Sequence, residues 1–156
     1  MEAVFGDKLI LSFPDGFHLM DDAEKRNLHF FNDNSGECMI DPERHMLISI
    51  GFRSLGGIPA ILLSANDIAK NTEKTIRKMM IENNYQLSRF TSGIVGKEKA
   101  SGFCYCYESQ GIEMYGESYV VKHGRDCFYL NLYARKELLD DSLDTWGKII
   151  LSAKWK

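Results

Sequence analysis

The apolar positions along the chain switch between two periods, and the switches divide it into a mixed first part, one long helix, four strands and a closing helix. KLILSF (8–13) is a short β-rich run stopped by PDG (14–16), a turn signal in which Gly16 supplies flexible backbone. Asp21 followed by Glu24 resembles a capping box, so DDAEKRNL is expected to start a short helix. NDNSGECMID (32–41) reads as a polar loop. MLISIGF (46–52) alternates, with Leu47, Ser49 and Gly51 on one side and Met46, Ile48, Ile50 and Phe52 on the other. RSLGGIPAILLS then leads into the strongest helical pattern, which opens at Ser64 and Asp67. Ile68, Ile76, Met79 and Met80 recur there at a 3.6-residue period, Thr72 fills the missing step, and Asn83-Asn84 is the expected stop.

From Tyr85 the period becomes two. YQLSRFTSGIV, GFCYCYES, GIEMYGESYVV and DCFYLNLYA read as successive strands, with HG (123–124) a tight turn between the last two. LLDDSLDTWGKIILSAKW closes the chain as a helix with Leu143, Trp146, Ile149 and Ile150 inward. Helices before and after an antiparallel meander describe an α+β domain occupying residues 1–156, with no repeat or linker.

Pairing the strands makes the faces explicit. Val121 opposite Asp126 sets Tyr119 against Phe128 and Glu117 against Leu130. Glu108 opposite Ile112, across a three-residue SQG turn, puts Phe103, Tyr105 and Tyr107 on the face of Tyr115, Glu117 and Tyr119. Cys104, Cys106 and Cys127 then share the other face. A two-residue QG turn slips that first pairing by one and exchanges the faces. Cys104 and Cys106 lie about 6.8 Å apart along an extended strand, the outer limit for a disulfide. In this register Cys127 is roughly 13 Å from Cys104, too far for one tetrahedral zinc site. Buried apolar filling is the plainer reading of these thiols.

Composition narrows the functional classes. Apolar residues make up 44% and charged residues 26%, ordinary for a globular chain. A formal net charge of −3 offers no overall attraction for nucleic acid or anionic lipid, so neither is expected as a partner. The basic positions Lys70, Lys74, Arg77 and Lys78 on the long helix read as a solvated face, offset by Asp67, Glu73 and Glu82. The start of the sequence lacks a signal-peptide pattern and the longest apolar run is IPAILL, so the expected location is cytoplasmic.

Catalytic motifs are weak. GFRSLGG lacks the Lys-Ser/Thr ending of a phosphate loop, and SGIVGKEK has Thr91 where the opening glycine belongs. His18, His29, His45 and His123 are scattered and read as surface or loop positions. No metal site or cofactor is expected. Glu117 stands out as a carboxylate amid aromatics, an environment that raises a pKa when water is excluded. Glu117, Tyr105, Tyr115 and Tyr119 are therefore the candidate binding residues, lining a sheet-face groove for a small molecule or a peptide.

LSFPDGF (11–17), ASGFCYCYE (100–108), GESYVVKHGRDCFYLNLYA (116–134) and SLDTWGKIILSAKW (142–155) together resemble the PsbP-like superfamily, including its small cytoplasmic bacterial members. The resemblance implies an α/β/α sandwich around a central antiparallel sheet. It also implies a non-enzymatic accessory role exercised by binding another protein. A monomer or a homodimer is expected, since an uncovered sheet edge would invite symmetric pairing. The competing expectation is an enzyme or small-ligand sensor built on Glu117 and its tyrosines.

Overall fold

The computed structural model describes residues 1–26 and 36–156; Asn32 to Ser35 of the expected polar loop, and His29, lie outside the described residues. Among the described residues, ten strands and four α-helices follow in chain order: β1 (Glu2–Phe5), β2 (Leu9–Ser12), β3 (His18–Leu19), α1 (Asp22–Arg26), β4 (Glu37–Asp41), β5 (Met46–Ser54), α2 (Gly57–Leu62), α3 (Ala65–Met79), β6 (Gln86–Val95), β7 (Glu98–Ser109), β8 (Ile112–His123), β9 (Asp126–Arg135), α4 (Leu139–Leu151) and β10 (Lys154–Trp155). Seven strands form an antiparallel sheet in the order β3-β4-β5-β9-β8-β7-β6, and β1-β2-β10 form a second, small sheet. The small sheet and α4 cover one face of the large one, burying Phe5, Leu9, Leu11, Trp146 and Ile149 against Ile48, Ile50, Leu130 and Leu132. Helix α3 covers the other face over β7 and β8. The architecture is the expected α+β sandwich with helices on both faces of an antiparallel sheet.

Local chemistry explains these elements. Ser64 caps α3 in a full capping box: the Asp67 amide donates to the Ser64 hydroxyl at 3.1 Å, and the Ser64 amide donates back to the Asp67 carboxylate at 3.1 Å. The Asp21–Glu24 pair makes the same reciprocal bonds at the start of α1. Ile68, Ala69 and Glu73 form the buried stripe of α3, whereas Met79 is exposed. Glu73, expected on the solvated face, is instead paired with Arg77 and accepts a hydrogen bond from Tyr85 at 2.8 Å. GECMID is not wholly loop, since Glu37–Asp41 pairs with β5 as a strand. The closing helix stops at Leu151, and Lys154–Trp155 turn back to pair with β2.

The hairpins fix the faces. Ser109 pairs with Ile112, so the first turn has two residues, Gln110 (φ 52°) and Gly111 (φ 79°). Positive φ at both central positions is the geometry whose twist matches the flanking strands. The three-residue turn is therefore corrected, and the faces of β7 are exchanged. Cys104 and Cys106 now point with Tyr115, Glu117 and Tyr119 toward α4, while Phe103, Tyr105 and Tyr107 point toward α3. In the next hairpin Val121 pairs with Phe128 rather than Asp126, a shift of two that leaves its faces as expected. Cys127 lies on the α3 face, apart from Cys104.

Two glycines make room for rings lying across the strands. A Cβ on Gly116 would sit 2.2 Å from the Tyr105 ring, and one on Gly102 would sit 2.0 Å from the Ser118 carbonyl oxygen. Tyr105 cannot swing away, because the Tyr85, Phe103 and Tyr107 rings pack around it at 5.1, 5.7 and 5.7 Å. Gly116→Ala is expected to destabilise the fold by roughly 2–3 kcal/mol, with Gly102→Ala at the upper end because backbone must move. Urea unfolding followed by tryptophan fluorescence measures both. A loss below about 0.5 kcal/mol, the range of ordinary surface changes, would contradict the packing.

Candidate functional site

The sequence-selected residues are divided by the β7 register. Glu117 is 8% exposed and directly opposite Cys104 on the face covered by α4. Its Oε1 accepts hydrogen bonds from the Cys104 thiol at 3.1 Å and from the Tyr115 hydroxyl at 3.2 Å. Tyr119 stands on the same face, stacked on Trp146 with centroids 6.3 Å apart. Tyr105 does not join them: it is buried on the other face in the cluster under α3. The groove expected to combine all four residues is thus corrected to a triad of Glu117, Tyr115 and Tyr119, with Cys104 as the missed fourth member.

Two donors, the Cys104 thiol and the Tyr115 hydroxyl, converge on the Glu117 carboxylate. Burial, and then the hydrogen bond with Cys104, push the Tyr115 hydroxyl far above its ordinary value. Burial first, and then the Glu117 carboxylate, push the Cys104 thiol up to about 11, with Tyr115 acting the other way. At neutral pH both groups hold their protons, so neither is an activated nucleophile. The cluster instead joins β7 to β8 by a buried polar contact.

A separate region has the shape of a binding site. At the end of the sheet where β5 begins and β9 ends, a cleft of about 510 Å³ opens on the α3 face. Ile40, Leu47, Ile112 and Met114 supply its apolar surface, with the rings of Tyr107 and Tyr133. These residues fall together because the register sets Ile40 against Leu47, Leu47 against Tyr133, Met114 against Arg135, and Tyr107 against Met114. One wall is the β4–β5 turn. Asp41 Oδ1 accepts from the Glu43 and Arg44 amides at 3.0 and 3.1 Å, and its other oxygen pairs with Arg44. Burial opposes the Asp41 charge, but Arg44 and these amides outweigh it and hold the carboxyl below its usual range. Arg44 also donates to the Asp15 carbonyl at 2.8 Å, tying the wall to the PDG turn.

Polar groups sit at the rim. Arg135 reaches Glu137 at 3.5 Å in an exposed pair, and His45 and Gln110 occupy positive-φ turn positions beside the opening. Glu117 lies outside this cleft. The cleft residues come from five strands and two turns, so no single stretch of the sequence marks them as a group. Among the described residues no three His, Cys, Asp or Glu side chains form a group able to hold a metal ion, and no helix is long and apolar enough to cross a membrane.

The donor cluster has a pH signature. In the unfolded chain a thiol ionises near 9.0, whereas folded Cys104 keeps its proton to about 11. The unfolded state therefore binds fewer protons between these values, and the stability held below pH 9 is lost as pH rises through 11. The urea midpoint is expected to fall over this interval and to fall less steeply in Cys104→Ala. Superimposable profiles for the two proteins would contradict the buried-donor reading.

No family model matches the sequence, and no curated protein matches it. Solved structures do match. The chain is similar to cyanobacterial PsbP (CyanoP) from Synechocystis sp. PCC 6803, with a TM-score of 0.75 at 11% identity, over 100% of this chain and 92% of that one. It is similar to LpqN of Mycobacterium tuberculosis, described as involved in cell envelope biogenesis, with a TM-score of 0.63 at 13% identity, over 95% and 83%. It is also similar to the T6SS immunity protein TplEi from Pseudomonas aeruginosa, with a TM-score of 0.52 at 17% identity, over 77% of this chain and 43% of that one. At such identities the likeness is one of fold. Layered helices on an antiparallel sheet, and the match to PsbP along the whole chain, identify this as a PsbP-like fold.

Proposed function

We propose that this chain is a non-enzymatic binding or accessory module that holds an apolar segment of a protein partner in the cleft at the end of the sheet. The observation that carries the reading is the cleft itself: apolar at its base, open on one side, and bordered by a cation at the rim. Met114 is an unbranched thioether that adapts to differently shaped side chains. Arg135 spends its charge on an exposed contact worth little in water, so an acidic residue flanking the bound segment can replace Glu137 without a large penalty. The Glu117 cluster gives the enzyme alternative little support, because its thiol and hydroxyl are held protonated and it stands apart from the cleft. The names of two neighbours of this fold, PsbP and an immunity protein, are in keeping with an accessory role.

Burying one bulky apolar side chain contributes about 1.5–3 kcal/mol, and each 1.4 kcal/mol is a factor of ten in affinity. A photo-reactive phenylalanine analogue at Gln110, installed in the native cell, is expected to capture a protein through a segment with bulky apolar residues and a nearby carboxylate. A synthetic peptide of that segment is then expected to bind at least tenfold more weakly to Met114→Asp, and measurably more weakly to Arg135→Glu. Capture through a segment without apolar residues, capture of small molecules alone, or equal peptide affinity for Met114→Asp would each refute the proposal.

A further inference from the structure

Helix α2 is inside out. Ala60 packs inward, with Leu63 just beyond the helix, beside Leu55, Ile68 and Val120. The spacing i, i+3, i+4 that puts residues on one helical face instead carries Ile58, Ile61 and Leu62 to the outside, at 71%, 81% and 72% exposed. The tip is held in place: Lys122 donates to the Ala60 and Leu63 carbonyls at 2.6 and 2.7 Å, and the Leu55 amide donates to the Arg125 carbonyl at 2.7 Å. Three aliphatic side chains projecting together from a fixed support mark an interaction site for a protein or a membrane.

The charges around the tip select the partner. Neither residues 53–66 nor residues 118–125, the two segments meeting here, contain a single Asp or Glu. They contribute Arg53, Lys122 and Arg125, and Lys70 follows on the exposed side of α3. Arg53 lies over the Tyr129 ring at 5.7 Å, beside the residues under α2. The acids bordering these segments have partners of their own: Asp126 is taken up by Lys8 and the Ser54 hydroxyl, Glu98 pairs with His123, and Asp67 is engaged in the α3 cap with Lys70 nearby. A chain of net charge −3 thus has a local cationic collar around an apolar tip. A second copy docking tip to tip would set collar against collar.

We infer that α2 and its collar form a docking tip for an anionic lipid bilayer, with Ile58, Ile61 and Leu62 entering the acyl boundary and Arg53, Arg125 and Lys70 meeting lipid phosphates. Apolar insertion flanked by cations at the headgroup level is the general physics of reversible interfacial binding. The inference is independent of the proposed role of the cleft, which lies at the opposite end of β5.

Vesicle co-sedimentation of the whole chain tests it, with vesicles of phosphatidylcholine alone and of equal parts phosphatidylcholine and phosphatidylglycerol. At least tenfold tighter binding to the anionic vesicles is expected, weakening as salt is raised. I61D/L62D is expected to lose at least tenfold, R53E/R125E to lose the preference for anionic lipid, and Met114→Asp to bind like the parent. The tip substitutions replace exposed side chains, and circular dichroism checks their folding. If the tip variant misfolds, the charge-reversal pair decides. Absence of binding, equal binding to both vesicles, or unchanged binding by R53E/R125E would overturn the inference. So would a parent dimer in analytical ultracentrifugation that I61D/L62D converts to monomer, or tip-dependent capture of an acidic protein without vesicle binding.

Discussion

The two-residue turn at Gln110 and Gly111 determines which side chains of β7 can meet which partners. Both residues take positive φ, and Ser109 is thereby paired with Ile112. Because side chains alternate along a strand, one more residue in the turn would carry every β7 side chain to the opposite face. The thiols of Cys104 and Cys106 would then leave Glu117 and approach α3, and Tyr107 would leave the cleft. The donor cluster and the apolar cleft thus both depend on one local backbone conformation, which Gly111 accepts easily and Gln110 less so.

Buried carboxylates hold the remaining parts in place, each with a partner, as the cost of burying charge requires. Asp41 and Arg44 shape the turn that walls the cleft. Glu73, Arg77 and Tyr85 fasten α3 to the start of β6. Asp126, with Lys8 and Ser54, ties the small sheet to the tip end of β5 and β9. Lys8 holds Asp126 below the usual carboxylate range despite burial, and a hydrogen bond from Ser54 adds to this. These contacts locate elements more than they strengthen them, since their gain is largely offset by desolvation.

Much of this was legible in the chain. The long helix, its Ser64–Asp67 cap and the four strands all carry strong local signals, and the β8–β9 faces survive a misplaced turn because the error was an even number of residues. At Gln110-Gly111 the error was odd, and it removed Tyr105 from the candidate site. Short elements were missed because β4 and β10 have five and two residues, too few for a period to show. Glu73 looked like one more surface acid, since its burial depends on Tyr85 arriving from beyond the helix. The cleft was illegible for a similar reason: no local pattern marks residues that become neighbours only through strand pairing.

The cleft and the tip occupy opposite ends of β5, from Met46 to Ser54, a separation of roughly 27 Å at the usual strand rise. That distance is several times the Debye length of about 8 Å at physiological ionic strength. Lipid charge at the tip would therefore be screened before it reached Arg135, and a partner in the cleft would not feel the collar. Coupling by movement would need an element with two packings, but the strand between the sites pairs with β9 along its whole length and with β4 from Met46 to Ile50, and its Ile48 and Ile50 are buried in the core. The sheet is better suited to act as a spacer than as a switch: it would hold the cleft pointing away from a bilayer while leaving the two affinities independent.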